Sequence, residues 1–427
     1  MKKNSKFLKG MLITLSPFAF TQPVSSQVQA PTLKINGYTS IVAAIANQQR
    51  TENGIGGSDP FITVGASDLY FTVLGRSASG FEYKWRLNFD VTPGTSPNVK
   101  RNYGEFNHTF GTIQFGNLNG PEDSMPESAM NIIGGAYGIN GTLPSVYNNS
   151  AGVISGVNFI GESSRATKIV FYSPEVSGFQ LGVAYTPNTT HMGKEERSNA
   201  ILGGAPGNGN SKHIYYDKNN NPFGTRNIVM GLTYKGISDK WSCAFSVVGM
   251  TERSHLAFKG SQQQFPVNNA NSYQLSAAVG YDKVRIAAGW IDNKKSRMPK
   301  DKINTVIGKD NKSGINLEDT YQGNAGNAWN LGASYTLGAY QFATGYFRTD
   351  RKTDYNNKAH SDIVTATADF TPLQGLKFFS EVDIVKTRTN EKAKKIQQSF
   401  MDVDGKGLKA IGNNSATVFM LGSKISF

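Results

Sequence analysis

Over residues 81–90 the side chains alternate without a break. Phe81, Tyr83, Trp85, Leu87 and Phe89 are interleaved with Glu82, Lys84, Arg86, Asn88 and Asp90. The last residues behave alike: Thr417, Phe419, Leu421, Ser423, Ile425 and Phe427 form a mostly apolar set between Val418, Met420, Gly422, Lys424 and Ser426. Successive side chains of a strand point to opposite faces, so this pattern is a strand between two unlike environments. Sixteen segments read this way: 33–46, 64–75, 80–91, 100–110, 111–118, 166–174, 178–187, 226–236, 240–251, 270–282, 283–292, 327–337, 339–349, 361–371, 375–388 and 415–427. Most approach the roughly 9–11 residues that a tilted strand needs to cross a bilayer. Seven connections are short, at 76–79, 110–111, 174–177, 236–239, 282–283, 337–338 and 371–374, and eight between them are long and polar. Such alternation requires antiparallel hairpins with every short turn at one end.

A soluble sandwich also uses hairpins, but its loops are similar at both ends. A sheet in lipid must close, because hydrocarbon offers an open edge no partner. Bacterial single-chain barrels have even strand numbers, short periplasmic turns and longer outer loops. The sequence therefore predicts an all-β fold, a 16-stranded antiparallel transmembrane β-barrel. No run approaches the roughly 18–20 apolar residues of a spanning helix. With one cysteine, Cys243, a disulfide scaffold and multi-cysteine zinc sites are excluded. Strand parity places Phe245 and Val247 on the lipid face and Ser246 inside. Trp241, Trp290, Trp329, Tyr340, Tyr185 and Tyr335 fall at strand ends, where lipid-facing aromatics collect.

Residues 1–30 read as a secretory signal peptide: a lysine-bearing start, an apolar stretch at 11–20 and a polar end with small residues. Cleavage is expected after Val28-Gln29-Ala30, with Val24-Ser25-Ser26 as the alternative. Residues 31–427 then form the barrel domain. The segment carries Lys2, Lys3, Lys6 and Lys9 and no acid, so its removal takes the net charge from +13 to +9.

Three stretches resemble the Gram-negative general porins, the sixteen-stranded trimeric family: 110–120 (FGTIQFGNLNG), 166–187 (ATKIVFYSPEVSGFQLGVAYTP) and the terminal Phe427. The first two are similar to the strand before the constriction loop and the hairpin after it. The resemblance implies a homotrimer in the outer membrane, passing small hydrophilic solutes and ions by passive diffusion. It implies that the third long loop, 119–165, folds inward and narrows the channel. That loop lacks the acidic Pro-Glu-Phe-Gly-Gly-Asp wording of enterobacterial porins and carries Pro121-Glu122-Asp123 and Pro126-Glu127 instead. The expected constriction sets the acids Glu122, Asp123 and Glu127 against a basic wall of Lys84, Arg86 and Arg101. Lys84 and Arg86 have an alternative, pairing with Glu82, Asp90 or Glu105 on neighbouring strands. Phe427 is expected to act as the signal read by the outer-membrane assembly machinery.

Other chemistry is weak in this sequence, and no catalytic residue, cofactor or metal is predicted. His108, His191, His213, His255 and His360 have no ligand spacing; the first falls on the outward face of the segment 100–110 near its turn and the others in loops. The glycine-rich run 203–212 lacks the Gly-Lys-Ser/Thr ending of a phosphate loop. Asp402-Val403-Asp404-Gly405 opens like a calcium loop, but its glycine comes too early and position twelve is Asn413. Basic residues concentrate in loops such as 293–302 and 391–395, which suits lipopolysaccharide phosphates or solvent better than nucleic acid. Two rivals remain: an adhesion or structural barrel with a blocked lumen, and an outer-membrane enzyme.

Overall fold

The computed structural model describes residues 30–48, 60–77, 80–94, 98–135, 163–189, 223–257, 264–265, 267–297, 306–307, 315–316, 326–352, 358–389 and 414–427. The signal segment, the glycine-rich run, the calcium-like run, His191 and His213 lie outside these residues.

Sixteen wall strands follow one another around the molecule: β1 (Thr32–Gln48), β2 (Phe61–Val64 continued by Asp68–Arg76), β3 (Glu82–Asp90), β4 (Asn98–His108), β5 (Gly111–Asn117), β6 (Thr167–Tyr172), β7 (Phe179–Asn188), β8 (Phe223–Ser238), β9 (Trp241–Ala257), β10 (Ala270–Tyr281), β11 (Val284–Asp292), β12 (Gly326–Leu337), β13 (Tyr340–Lys352), β14 (Lys358–Leu373), β15 (Leu376–Thr389) and β16 (Asn414–Ser426). Each pairs antiparallel with its sequence neighbours. The last strand pairs with the first, from Tyr38 opposite Ser426 to Gln48 opposite Ala416, so the sheet has no open edge.

The short turns match the sequence reading. Asp239 and Asp282 occupy the left-handed region at φ 46° and 50°, which aspartate tolerates in tight turns. Two features differ from expectation. The segment read as 64–75 is broken at Gly65–Ser67, although both pieces pair with β1. Strands β8, β9 and β14 run past their expected outer ends, because pairing continues where the apolar alternation has stopped. His255 and His360 consequently sit on β9 and β14, not in loops.

The wall separates two environments by parity. On β10, Tyr273, Leu275, Ala277, Val279 and Tyr281 point outward, while Ser272, Gln274, Ser276 and Ala278 are buried inside. Phe245 and Val247 are exposed outward, and Ser246 between them is fully buried. Aromatic rings form two outer bands. Trp241 packs on Tyr281 and Tyr340 on Phe370 at the turn end, each pair 4.7 Å apart. Trp329 packs on Tyr346 at 4.8 Å toward the other end. Tyr273 and Tyr281 are eight residues apart on one strand. That is roughly 27 Å of strand and, at the tilt of such barrels, about 20 Å of height, near the apolar band of an outer membrane.

The core lies inside the barrel. Leu118, Met125, Ala129 and Ile133, from the segment after β5, cluster with Val170, Val229, Val248, Ile291 and Phe347 of the inner wall. The third long loop therefore folds inward, as the resemblance implied.

Candidate functional site

The loop leaves β5 at Asn117, turns through a short helix, α1 (Pro121–Ser124), and a 3-10 turn (Ala129–Asn131), and crosses the inner faces of β7 to β15. Its path is a trough of small residues. A Cβ added at Gly231 would stand 2.7 Å from the Met125 sulfur, at Gly289 2.8 Å from Ser128 Cβ, at Gly332 3.0 Å from Ala129 Cβ and at Gly345 3.0 Å from Ile133 Cδ1. Ser246, Ser276, Gly289 and Asn330 are successive cross-strand partners and fill one row of the trough. Polar groups of the wall then meet the loop backbone. The Glu127 N–H donates to Ser276 Oγ at 2.8 Å, Ala129 N–H to Asn330 Oδ1 at 2.9 Å and Gly135 N–H to Asp369 Oδ1 at 2.8 Å. Gln341 donates to the Ile132 carbonyl at 3.1 Å.

The root of the loop is closed by buried ties between its two legs. Lys168 donates to the carbonyls of Leu118 and Ser164, both at 2.5 Å. Asn117 donates to the Arg165 carbonyl at 3.3 Å, and Ser163 donates to Glu122 Oε1 at 2.7 Å.

The six expected constriction residues divide. Glu122 does not face the channel: it is 6% exposed and turned into the root, and its Oε2 has no partner among the described residues. One helical turn sends Glu122 and Asp123 in different directions, so only Asp123 is exposed to the lumen, where Asn119 donates to it. Glu127 is held between two cations, Lys235 at 2.9 Å and Arg285 at 3.1 Å. Neither was anticipated, yet each is an inward-parity cation near the turn end of its strand. Lys84 takes the alternative open to it and pairs with Glu105 at 2.7 Å. Arg86 lies over the Tyr70 ring at 4.4 Å from its centroid, and Arg101 faces inward beside Asn88. Arg86 and Arg101 have no carboxylate partner among the described residues.

Arg101, Asp123 and Lys235 line one recess of about 460 Å³ together with Glu105, Tyr172 and Gln180. Above it, Lys100 binds Asp68 at 2.6 Å and Asp90 at 3.0 Å. The open side of the barrel, β2 to β5, thus presents a wall of charges and tyrosines, among them Asp68, Tyr70, Lys84, Arg86, Arg101 and Glu105. The covered side presents the loop.

A closed membrane barrel of sixteen strands with a charged, loop-narrowed interior defines the class of the water-filled outer-membrane channels. Comparison places the chain within that class. The model of the Gram-negative porin family matches residues 12–389, and the chain belongs to this family. Its fold is similar to that of the anion-selective porin of Comamonas acidovorans, at a TM-score of 0.56 and 15% identity over 93% of this chain and all of that one. It is also similar to OmpT of Vibrio cholerae in its trimer form, at 0.53 and 10% over 93% and 100%. The outer-membrane channel DcaP of Acinetobacter baumannii gives 0.53 and 12% over 93% and 98%. Among curated sequences, an uncharacterised protein of Rickettsia conorii is 25% identical over 242 residues, 52% of this chain; the chain spans about half the length of that relative.

Proposed function

We propose that the chain is an outer-membrane porin passing small hydrophilic solutes and ions by passive diffusion, after export and loss of its first 30 residues. The observation that carries this reading is the pairing of a sealed wall with a polar interior that the third loop narrows without filling the recess at Arg101, Asp123 and Lys235. The charge balance there leans positive. Glu105, Asp68, Asp90 and Glu127 each have cationic partners, and Glu127 has two. Arg86 and Arg101 face one exposed acid, Asp123. In physiological salt, charges beyond about 8 Å are largely screened, so these few groups set selectivity and not the net charge of the chain. The channel is expected to favour anions. Purified protein in a planar bilayer under a salt gradient tests this directly: stepwise conductance with an anion-selective reversal potential is expected. Absence of conductance would support the structural or adhesion barrel instead.

The outer surface supports a homotrimer. Strands β5 and β6 have seven and six residues, against 16 and 17 for β8 and β9, so this side of the wall is low. It carries an aromatic façade in which Phe81 stacks on Phe106 and Phe106 on Phe115, each at 5.5 Å, with Trp85 edge-on to Phe115. A second copy would cover such a face better than lipid.

A further inference from the structure

We propose that Lys168 is a positioning residue that fixes the channel aperture by holding the two legs of the inward loop together. This rests on the channel reading above. The loop begins and ends on adjacent strands, since Asn117 and Thr167 are cross-strand partners. Between this root and the loop's first wall bond, at Glu127, the two legs can hinge apart. Lys168 occupies that hinge. It lies opposite Gly116 on the inner face of β6 and is 2% exposed. Its ammonium donates to one carbonyl on the outgoing leg, Leu118, and one on the returning leg, Ser164.

An ammonium has three donors and no acceptor, so it suits a place where carbonyls from two segments converge. Hydrogen bonds from a charged donor are stronger than neutral ones, and a buried carbonyl that loses its donor is left costly. The Asn117 amide and the Ser163–Glu122 contact are neutral-donor ties at the same level. Lys168 is the charged donor of the set, and the one that reaches both legs. Further along, wall groups bond the loop backbone from Glu127 to Gly135, so the stretch that Lys168 governs is the one between the root and Glu127, which carries Asp123. Both carbonyls that Lys168 bonds belong to the legs of the loop, so this tie acts on permeation through loop position.

The test uses full-length protein reconstituted in planar bilayers, with folded state checked by electrophoretic mobility. Lys168→Met keeps the apolar stem and removes the donors. Expected is a several-fold increase in open-channel current noise and closure at a lower applied voltage. Lys168→Arg, which keeps charge and donors, should stay close to wild type. Arg297→Met is the control. It breaks the ion pair with the buried Glu252 of β9, 2.6 Å long, and leaves the Leu118 and Ser164 carbonyl bonds of Lys168 in place. It should leave both readouts unchanged. Lys168→Met traces matching wild type, or Arg297→Met reproducing the same noise, would overturn the proposal. If Lys168→Met does not insert, Asn117→Ala carries the test, with the same direction expected and wild-type traces counting against it. A silent wild type would instead overturn the channel reading itself, and the proposal with it.

Discussion

Single side chains decide the constriction, and the decisive property is which neighbour each one reaches. Asp123→Asn should move the reversal potential further toward anions, whereas Glu122→Gln, altering a carboxylate already turned into the loop root, should leave selectivity almost unchanged. Glu127→Gln should free Lys235 and Arg285 and strengthen anion preference; Arg86→Gln with Arg101→Gln should move it toward cations. Salt-gradient potentials of the four variants check all three statements, and a larger shift from Glu122 than from Asp123 would contradict the geometry. Parity made the inward direction of Lys84, Arg86 and Arg101 legible in the sequence. Pairing was not legible. The Lys84–Glu105 bond depends on strand register, and the cations beside Glu127 depend on where a distant loop crosses β8 and β11. On the lipid face the reading is simpler. Phe245→Arg should cost roughly 2–4 kcal/mol near the membrane midplane, measured by reversible unfolding in lipid vesicles. Arginine at Ser246 meets no lipid, yet it would not enter open water either, because Ser246 is fully buried. Ser246 bonds Ser276, which receives the Glu127 N–H, so a large side chain must lift the loop.

At the scale of elements, strands were the most legible part of the chain, because lipid on one side and water on the other write a period of two into the sequence. Where lipid ends, the signal ends, and β8, β9 and β14 continue unannounced. The break in β2 was hidden because the expected segment began only at residue 64; across the break the register with β1 shifts by one, so Phe61 and Thr63 face inward before it and Asp68 and Tyr70 after it. The inward loop was legible only through resemblance. Its trough, spread over strands far apart in sequence, became visible once register aligned Ser246, Ser276, Gly289 and Asn330. Gly289→Leu should push the 3-10 turn off the wall and into the lumen, because Ser128 Cβ has no rotamer by which to retreat. The expected outcome is a lower single-channel conductance with normal insertion. The same change at Gly231 should do less, since the flexible Met125 side chain can move aside. Equal conductances for the two variants would show that the loop is not seated on its trough.

For the whole molecule, two surfaces carry predictions. Phe106→Arg with Phe115→Arg, placed in the aromatic façade, should convert a heat-modifiable trimer into monomers that still conduct; unchanged trimer on seminative gels would remove this face from the interface. Deleting Phe427 removes two backbone hydrogen bonds, from and to Gly37, both 3.0 Å. Insertion is expected to fall while synthesis holds, and normal levels of folded protein after the deletion would count against an assembly role. The same seam has a consequence for how the molecule comes into being. Tyr38 waits for Ser426, at almost the other end of the chain. Every other pairing in the wall joins strands that follow one another in sequence, but this one forms only after the last strand has been made and exported. Contacts between distant segments are slow to form. Until that moment the chain is a ribbon with two bare edges, β1 and β16, whose unpaired backbone groups are open to any other strand.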